Sequence, residues 1–323
     1  ERRYQGVVHG LFSCLLYAHP PSFAYSPPGM PPDWLDPALY PFAPHFCYTD
    51  AGRMHYVDEG DGPPVVLLHG NPTWSFLYRR LIRTLSPNYR CVAPDYIGFG
   101  RSAKPADATY APSAQAARVE ALITQLGLQD ITLVVHDWGG PIGLSYALRH
   151  PDRVQRLVIA NSWMWPLHED ARVSLFSRLA GSPLGRLLIT RYNAFTRVIL
   201  PLAFADRSRL SRRAFQHYLA PLATPSDRTG SWAFPRALLD ETTWLGSLWR
   251  RRAALQAMPL LIVWGLRDPA FGMRHLQRWT DAFPHARIHP LPDVGHYVPE
   301  EASAAFARFV QIFLDDTAHS VRS

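Results

Sequence analysis

The sequence predicts an α/β protein with a mostly parallel, twisted sheet flanked by helices and a helical cap inserted late in the chain. Short apolar runs recur along the chain, and the stretches between them suit helices. Strands that alternate with helices are typical of a parallel sheet covered on both faces. With 323 residues and 36.5 kDa, the chain is long enough for one large domain with an insertion.

The expected elements follow one another in a regular order. Residues 45–58 alternate in polarity and turn at 50–52, which predicts a β-hairpin. Six further strands are expected, at residues 65–70, 89–95, 131–137, 153–161, 259–265 and 287–292. The strand rhythm stops after residue 161, and helix-like segments take its place. We therefore expect a main domain of residues 45–161 and 236–323, and a cap domain of residues 162–235 that encloses an apolar pocket over the strand ends.

Residues 1–44 precede this core and form a segment of their own. Apolar side chains recur at positions 7/8, 11/12 and 15/16, the stripe of an amphipathic helix. A helix of this size spans about 18 Å, too short to cross a bilayer. A Pro-rich strap at residues 20–44 follows it. The helix could pack on its own domain, on another subunit or on a membrane surface; because the strap carries it away from the sheet, we expect a homo-oligomer contact.

Charge and cysteine content narrow the class of protein. The net charge is +7, and 32 of the 33 basic residues are arginines because Lys104 is the only lysine. Without a nucleic-acid-binding signature, this charge indicates a solvated basic surface and no nucleic-acid partner. Cys14, Cys47 and Cys91 are odd in number and lack metal-ligand spacing. They predict reduced thiols, a cytoplasmic location and no metal site.

The sequence LVVHDWGG at residues 133–140 is the most informative motif. An apolar strand ends in a tight turn whose apex is Asp137, with Val135 and Gly139 on either side. Hydrolases of this plan place a nucleophile at such a turn, usually a serine. A carboxylate needs no base to activate it, and its attack on carbon leaves an ester that water must clear. Asp137 therefore predicts displacement at saturated carbon rather than cleavage of peptides.

Two residues follow later strands in the order expected of an acid and a base. His296 follows the last strand and would activate the water that attacks the ester on Asp137. Asp268 follows the preceding strand and would orient His296 and stabilise its charged form. The rival acid position, after the strand at 153–161, carries no carboxylate, and Glu169 and Asp170 come later at the entrance to the cap.

Two neutral donors accompany the nucleophile. Asn71 lies in HGNPTW after the strand at 65–70, and Trp138 follows Asp137 directly. Their backbone N–H groups are expected to form an oxyanion hole, while the carboxamide and indole N–H groups would hold a departing anion. Further candidates for the wall of the substrate pocket are Phe234, Pro235 and Tyr297.

Four motifs together resemble the haloalkane dehalogenases, a family with the α/β-hydrolase fold. They are HGNPTWSFLYR (69–79), PDYIGFGRSAKP (94–105), LVVHDWGG and VGHYVPEE (294–301), and the similarity spans about residues 45–315. The resemblance implies a haloalkane and water as substrates and an alcohol, a halide and a proton as products, with no cofactor. It assigns the nucleophile to Asp137, the base to His296 and the halide-binding side chains to Asn71 and Trp138. A late acid with an Asn ligand resembles the third subfamily, whose members tend to form large oligomers.

Three other functions remain open at this point. An epoxide hydrolase shares the fold and the Asp nucleophile, and Tyr192 and Tyr218 in the cap could protonate an epoxide oxygen. A cofactor-free oxygenase of the luciferase type is built on the same framework. A scaffold that assembles through the N-terminal helix and has lost turnover is the alternative from a different class.

Overall fold

The computed structural model describes residues 32–318 and contains one sheet of eight strands. The strands are β1 His45–Thr49, β2 Gly52–Glu59, β3 Pro64–Leu68, β4 Arg90–Pro94, β5 Ile131–Asp137, β6 Val154–Ser162, β7 Leu260–Gly265 and β8 Arg287–Leu291. Their order in the sheet is β1-β2-β4-β3-β5-β6-β7-β8. β2 pairs antiparallel with β1 and β4, and the other pairs are parallel. The expected hairpin and mostly parallel sheet are confirmed.

Helices connect and cover the strands. They are α1 Arg79–Leu85, α2 Pro112–Gln125, α3 Gly139–Arg149, α4 Ala171–Gly181, α5 Pro183–Tyr192, α6 Leu200–Leu202, α7 Arg212–Leu219, α8 Thr229–Asp240, α9 Thr242–Arg250, α10 Met273–Ala282, α11 Val298–Glu301 and α12 Ser303–Ala318. None of these helices has the length and hydropathy needed to cross a bilayer. A run of helices replaces the strands between β6 and β7, and the division into a cap at 162–235 and a main domain stays a prediction.

The core lies on both faces of the sheet. Every residue of β5 is buried, as expected for a central parallel strand covered on both sides. Leu133 and Val135 pack into one apolar cluster and Val134 into the other, because successive side chains of a strand point to opposite faces. Cys47 and Cys91 are buried free thiols, whereas Cys14 and the apolar stripe at 7–16 lie outside the described residues.

The first two helices after β6 begin at capping side chains. The Asp170 carboxylate accepts hydrogen bonds from the backbone N–H groups of Arg172 and Val173 at the start of α4. The Ser182 hydroxyl caps α5 by accepting from the N–H of Gly185. Ser, Asp and similar residues at this position satisfy backbone donors that a helix leaves unpaired. Asp170, considered above as a rival acid, is therefore used as a helix cap and also pairs with Arg274.

Candidate active site

Asp137 stands at the turn between β5 and α3 in a left-handed backbone conformation, with φ of 50°. Such a conformation is uncommon for a residue other than glycine, and it is tolerated where the surroundings enforce it. α3 runs so close to β3 that a Cβ on Gly139 would lie 2.0 Å from the carbonyl oxygen of Leu68. A glycine at this position lets the helix approach and lifts the Asp137 side chain above the end of the sheet.

The two oxygens of the Asp137 carboxylate have different surroundings. Oδ2 accepts a hydrogen bond of 2.8 Å from the backbone N–H of Asn71. Oδ1 lies 3.9 Å from Nε2 of His296. The backbone N–H of Trp138 also donates to this carboxylate. Oδ2 is thus held by a backbone donor at a strand end, while Oδ1 faces the imidazole.

The turn that carries Asn71 is held by a neutral histidine. The Nδ1–H of His69 donates to the carbonyl of Gly70, and its Nε2 accepts from the N–H of Tyr96. Burial lowers the pKa of His69 to about 4, so the ring is neutral near pH 7 and can make both bonds. The ring also stacks on Tyr96, with 4.0 Å between centroids. These contacts fix the backbone N–H of Asn71 beside the nucleophile.

His296 and Asp268 form a buried pair across the ends of β8 and β7. Nδ1 of His296 lies 2.8 Å from Oδ2 of Asp268. Burial lowers the pKa of His296, but the charges of Asp268 and Asp137 and the hydrogen bond with Asp268 outweigh it and raise the pKa above its ordinary value. Burial raises the pKa of Asp268, but His296 outweighs that effect, and the net shift is downward. Asp268 is therefore ionised and favours a protonated His296.

The charged form of Asp137, the proposed nucleophile, is destabilised by its surroundings. Burial raises the pKa of Asp137 to about 6, against the pull of His296 and of the two backbone donors. A carboxylate removed from water is less solvated and so more reactive toward carbon, provided that it is ionised. Asp137 meets this condition near pH 7.

Glu301 ties the loop that carries His296 to the segment after α6. Its carboxylate accepts hydrogen bonds from the backbone N–H groups of Gly295 and Asp206, at 2.8 and 2.9 Å. The N–H of His296 donates to the carbonyl of Ala203. A Cβ on Gly295 would lie 2.2 Å from that carbonyl oxygen, so only glycine allows this approach. Sequence reasoning missed this arrangement, although Glu301 ends the VGHYVPEE motif.

Sequence reasoning also missed His136, which precedes the nucleophile. Its Nε2–H donates to the carbonyl of His296 over 2.9 Å, and the centroids of the two rings are 4.7 Å apart. Burial lowers the pKa of His136 well below its ordinary value, so the ring is neutral. The strand that carries the nucleophile therefore also positions the histidine loop.

A cavity of about 910 Å³ opens above Asp137. Five of the expected site residues line it, together with two of the expected wall residues: Asn71, Asp137, Trp138, Asp268, His296, Pro235 and Tyr297. Phe234 differs from expectation, because its ring packs behind the Trp138 indole with 5.6 Å between centroids and does not line the cavity. The lining residues that the sequence did not suggest are mostly apolar: Leu167, Val173, Phe176, Phe195, Ile199, Leu202, Ala203, Leu238, Pro269, Ala270, Phe271 and Met273. Gly272 and two charged residues, Arg172 and Arg274, complete the wall.

The side chains of Trp138 and Asn71 both carry N–H donors in this cavity, and they differ in their hydrogen bonds. Between described residues, no hydrogen bond uses the indole N–H of Trp138. One N–H of the Asn71 carboxamide donates to the carbonyl of Ser231 at 3.2 Å, which leaves the second. The described residues contain no group of three or more His, Cys, Asp or Glu that could hold a metal ion. The side-chain donors of Asn71 and Trp138 are both neutral N–H groups.

Comparison with known proteins agrees with this geometry. Residues 63–303 match the family model described as the alpha/beta hydrolase fold. Haloalkane dehalogenase 2 of Mycobacterium tuberculosis is 38% identical over 269 residues, which cover 83% of this chain and 93% of that protein. A cis-3-alkyl-4-alkyloxetan-2-one decarboxylase of Shewanella oneidensis is 36% identical over 288 residues, covering 86% and 90% of the two chains.

Solved structures give the same assignment. The haloalkane dehalogenase DatA of Agrobacterium tumefaciens superimposes with a TM-score of 0.79 at 26% identity, covering 88% of this chain and 100% of that one. The ancestral haloalkane dehalogenase AncHLD2 superimposes with a TM-score of 0.75 at 30% identity, covering 84% and 98%. The chain therefore belongs to the α/β-hydrolase family, and within it to the haloalkane dehalogenases and their near relatives.

Proposed function

We propose that this protein is a hydrolase that cleaves the carbon–halogen bond of haloalkanes and releases an alcohol, a halide and a proton. The observation that carries the proposal is the geometry of Asp137: one carboxylate oxygen is held by the Asn71 N–H, and the other faces His296 Nε2 across 3.9 Å. Six relatives with 34–38% identity are named as haloalkane dehalogenases, which supports the same activity.

The first step is displacement of the halide. An oxygen of Asp137 attacks the sp³ carbon, the carbon–halogen bond breaks, and its electron pair leaves with the halide. The indole N–H of Trp138 and the free carboxamide N–H of Asn71 would hold the departing anion, because both are neutral donors beside the nucleophile. Neutral donors stabilise the halide without pairing with the carboxylate that must attack.

The second step is hydrolysis of the alkyl ester on Asp137. His296 takes a proton from water, the hydroxide adds to the carboxyl carbon of Asp137, and the alkoxide leaves as alcohol. Asp268 supports the charged imidazole through the 2.8 Å contact with Nδ1. The oxyanion formed in this step would rest on the N–H groups that already bind the Asp137 carboxylate.

Formation of the ester also favours the neutral form of His296, which is the form that can act as a base. The charge of Asp137 is one of the causes that raise the pKa of His296 in the free enzyme. Alkylation removes that charge, which lowers the pKa of His296 and favours the neutral imidazole that can accept a proton once the ester has formed. Hydrolysis is thereby coupled to completion of the first step.

The cavity favours an apolar substrate of some size. Its volume of about 910 Å³ is near the upper end of ordinary ligand pockets, roughly 300–1,000 Å³. Apolar side chains make up most of its wall, and its polar residues are those around Asp137 together with Arg172 and Arg274. A long or branched alkyl halide therefore suits the cavity better than a small polar one.

Halide release from a panel of chlorinated, brominated and iodinated alkanes tests the activity. A single turnover in heavy-oxygen water tests the ester, because the label must enter the Asp137 carboxylate while the alcohol carries an oxygen from the enzyme. Asp137→Asn should abolish halide release, and the exposed control Asp293→Asn should leave it unchanged. Label found in the alcohol after one turnover would contradict the covalent mechanism.

A second candidate is decarboxylation of an oxetan-2-one, favoured by the 36% identity to decarboxylases of Shewanella oneidensis and Xanthomonas campestris. Asp137 would attack the saturated ring carbon that carries the ring oxygen. The bond between that carbon and the ring oxygen would break and leave a carboxylate. Loss of CO₂ would then form the carbon–carbon double bond and expel the Asp137 carboxylate. This sequence consumes no water, so His296→Phe would stall dehalogenation but spare decarboxylation of a cis-3,4-dialkyloxetan-2-one.

The other candidate functions have less support. Tyr218 is buried and donates its hydroxyl to Glu300, and Tyr192 is half exposed. Neither lines the cavity, so neither cap tyrosine is in place to protonate an epoxide. No observation favours the luciferase-type oxygenase or the scaffold. Membership of the third subfamily is supported by the late acid Asp268 together with Asn71. The expected oligomer contact concerns residues outside those described.

A further inference from the structure

Helix α4 exposes two leucines and buries small residues, although Val173 and Phe176 pack partly against the core. The residues it buries are Ser174, Ser177 and Ala180, which are small or polar. Leu175 and Leu179 are each 59% exposed. In a surface helix of a monomer, large apolar residues ordinarily face the core and small polar residues face water. The inversion indicates that the outer face of α4 contacts something other than water.

Helix α5 continues the same surface. It buries only Ile189, while Leu184 and Leu187 are 63% and 49% exposed. The two helices pack closely, since a Cβ on Gly185 would lie 2.1 Å from the carbonyl oxygen of Leu179. Of the eleven large apolar side chains exposed within residues 32–318, seven lie between 175 and 202. This is a concentrated patch rather than the scattered apolar residues of an ordinary surface.

The patch adjoins the cavity above the nucleophile. Val173 and Phe176 of α4 line that cavity. Ile199 and Leu202 belong both to the cavity wall and to the exposed apolar group. Met273, 55% exposed, lies on the wall as well. An apolar molecule held on the outside of α4 would therefore lie beside apolar side chains that continue into the cavity wall.

Arginines accompany the leucines. Arg172, Arg178, Arg186 and Arg191 are exposed, and residues 171–192 contain no Asp or Glu. In the described part of the chain, none of these four guanidinium groups takes part in an ion pair. Residues 162–235 carry ten arginines against four carboxylates, and so hold most of the net charge of +7.

The charge decides between the possible occupants of this surface. A second copy of the chain seated on it symmetrically would bring arginines against arginines, which is unfavourable. An anionic lipid surface complements the arginines and takes up the leucines at the same time, as amphipathic helices at membrane interfaces do.

We propose that the cap face, formed by Leu175, Leu179, Leu184 and Leu187 with Arg172, Arg178, Arg186 and Arg191, docks on an anionic lipid surface. The apolar substrate then passes from the lipid into the cavity beside α4 without entering bulk water. Docking is independent of which bond the site breaks, so it is measured separately from catalysis.

Sedimentation of the full chain with vesicles tests the proposal. The vesicles are phosphatidylcholine alone, or equal parts of phosphatidylcholine and phosphatidylglycerol. The variants are Leu175→Ser/Leu179→Ser and Arg178→Gln/Arg191→Gln. The matched control is Arg308→Gln/Ile312→Ser on α12, where Ile312 is 45% exposed. Turnover of a short water-soluble substrate, unchanged in all three, shows that the site stays folded.

We expect binding to the phosphatidylglycerol vesicles only, with release at high salt, because screening weakens the arginine contribution. Each cap-face variant should lower the partition coefficient by roughly tenfold or more, and the control should match the parent chain. No binding, equal binding to both vesicles, or binding unchanged in the variants would overturn the proposal. A molar mass in light scattering that falls in the leucine variant, without vesicle binding in the parent, would instead assign the face to a second copy.

Discussion

The side-chain amide of Asn161 donates a hydrogen bond of 2.7 Å to Oδ2 of Asp268, the same oxygen that lies 2.8 Å from Nδ1 of His296. Asn161 stands near the end of β6 and Asp268 beyond the end of β7, so neighbouring strands share one carboxylate. The Oδ1 of Asn161 also accepts from the N–H of Gly265. The position where a rival acid could stand is thus occupied by an amide that supports Asp268, the proposed acid, at the other strand.

Replacing the acid should slow the second chemical step. Asp268→Asn removes the counter-charge and the acceptor for His296 Nδ1, so ester hydrolysis should fall by about 10²–10⁴-fold, the usual contribution of a positioned base. Alkylation should change far less. Rapid-quench measurement of halide and alcohol separates the two steps.

Asn161, the hydrogen-bond partner of Asp268, offers a position from which the lost carboxylate can be restored. Asp268→Asn/Asn161→Asp returns a carboxylate to the same network from β6 and should recover part of the lost rate. Asp293→Asn, in an exposed loop, is the control. Full steady-state turnover in the Asp268→Asn variant would place the acid elsewhere.

His296→Phe should separate displacement from hydrolysis completely. Asp137 attacks without a base, so one halide per active site should appear in a burst, and turnover should then stop. Mass spectrometry should find the alkyl group on Asp137. His289→Phe, on the edge strand β8, is the control and should turn over normally. The absence of both burst and adduct would mean that His296 acts before the ester forms.

The halide donors should matter most for the poorest leaving group. Asn71→Ala and Trp138→Phe each remove one donor, and a lost donor of this kind typically costs about 10²–10³ in rate. The loss should be larger for chloroalkanes than for iodoalkanes with the same carbon chain, because chloride needs more stabilisation as it leaves. Paired rate measurements on such substrates provide the check. Equal losses for both halogens would show that these side chains only shape the cavity.

Ionisation of Asp137 should lower the free energy of unfolding by an amount that depends on pH. The pKa of Asp137 is about 6 in the folded protein against an ordinary 3.8. The folded state therefore disfavours the charged form of Asp137. The resulting loss of stability is absent below pH 3.8, grows between pH 3.8 and about 6, and reaches its full size above about pH 6. Asp137→Asn should raise the free energy of unfolding by about 3 kcal/mol at pH 8 and by about half of that at pH 5.

Urea unfolding at the two pH values checks this difference. The Asn side chain keeps the size of the aspartate, so packing changes little, and Asp293→Asn reports any general effect of a lost charge. A gain in stability that is the same at both pH values would rule out the ionisation of Asp137 as its cause.

The parts of the site that could be predicted from sequence are those with a local signature. Asp137 ends β5 and His296 lies in the loop after β8, so the positions of both along the chain are readable from apolar runs and turns. The pairing of Asn161 with Asp268 is not readable in this way, because it depends on which strands are neighbours. Phe234 shows the same limit: it lies on α8, and only the packing of that helix decides whether its ring meets the cavity or the back of Trp138.

The contacts of Glu301 and Gly295 with residues 203–206 have a consequence for recombination. A lid held only by apolar packing could be exchanged between homologues as a module. Here the segment after α6 and the histidine loop are joined by hydrogen bonds through backbone atoms and through the Glu301 carboxylate. A chimera that imports a foreign lid must therefore keep residues 203–206 from the parent, or import the histidine loop with them. Crossover points should therefore leave residues 203–206 and the histidine loop in the same parental fragment.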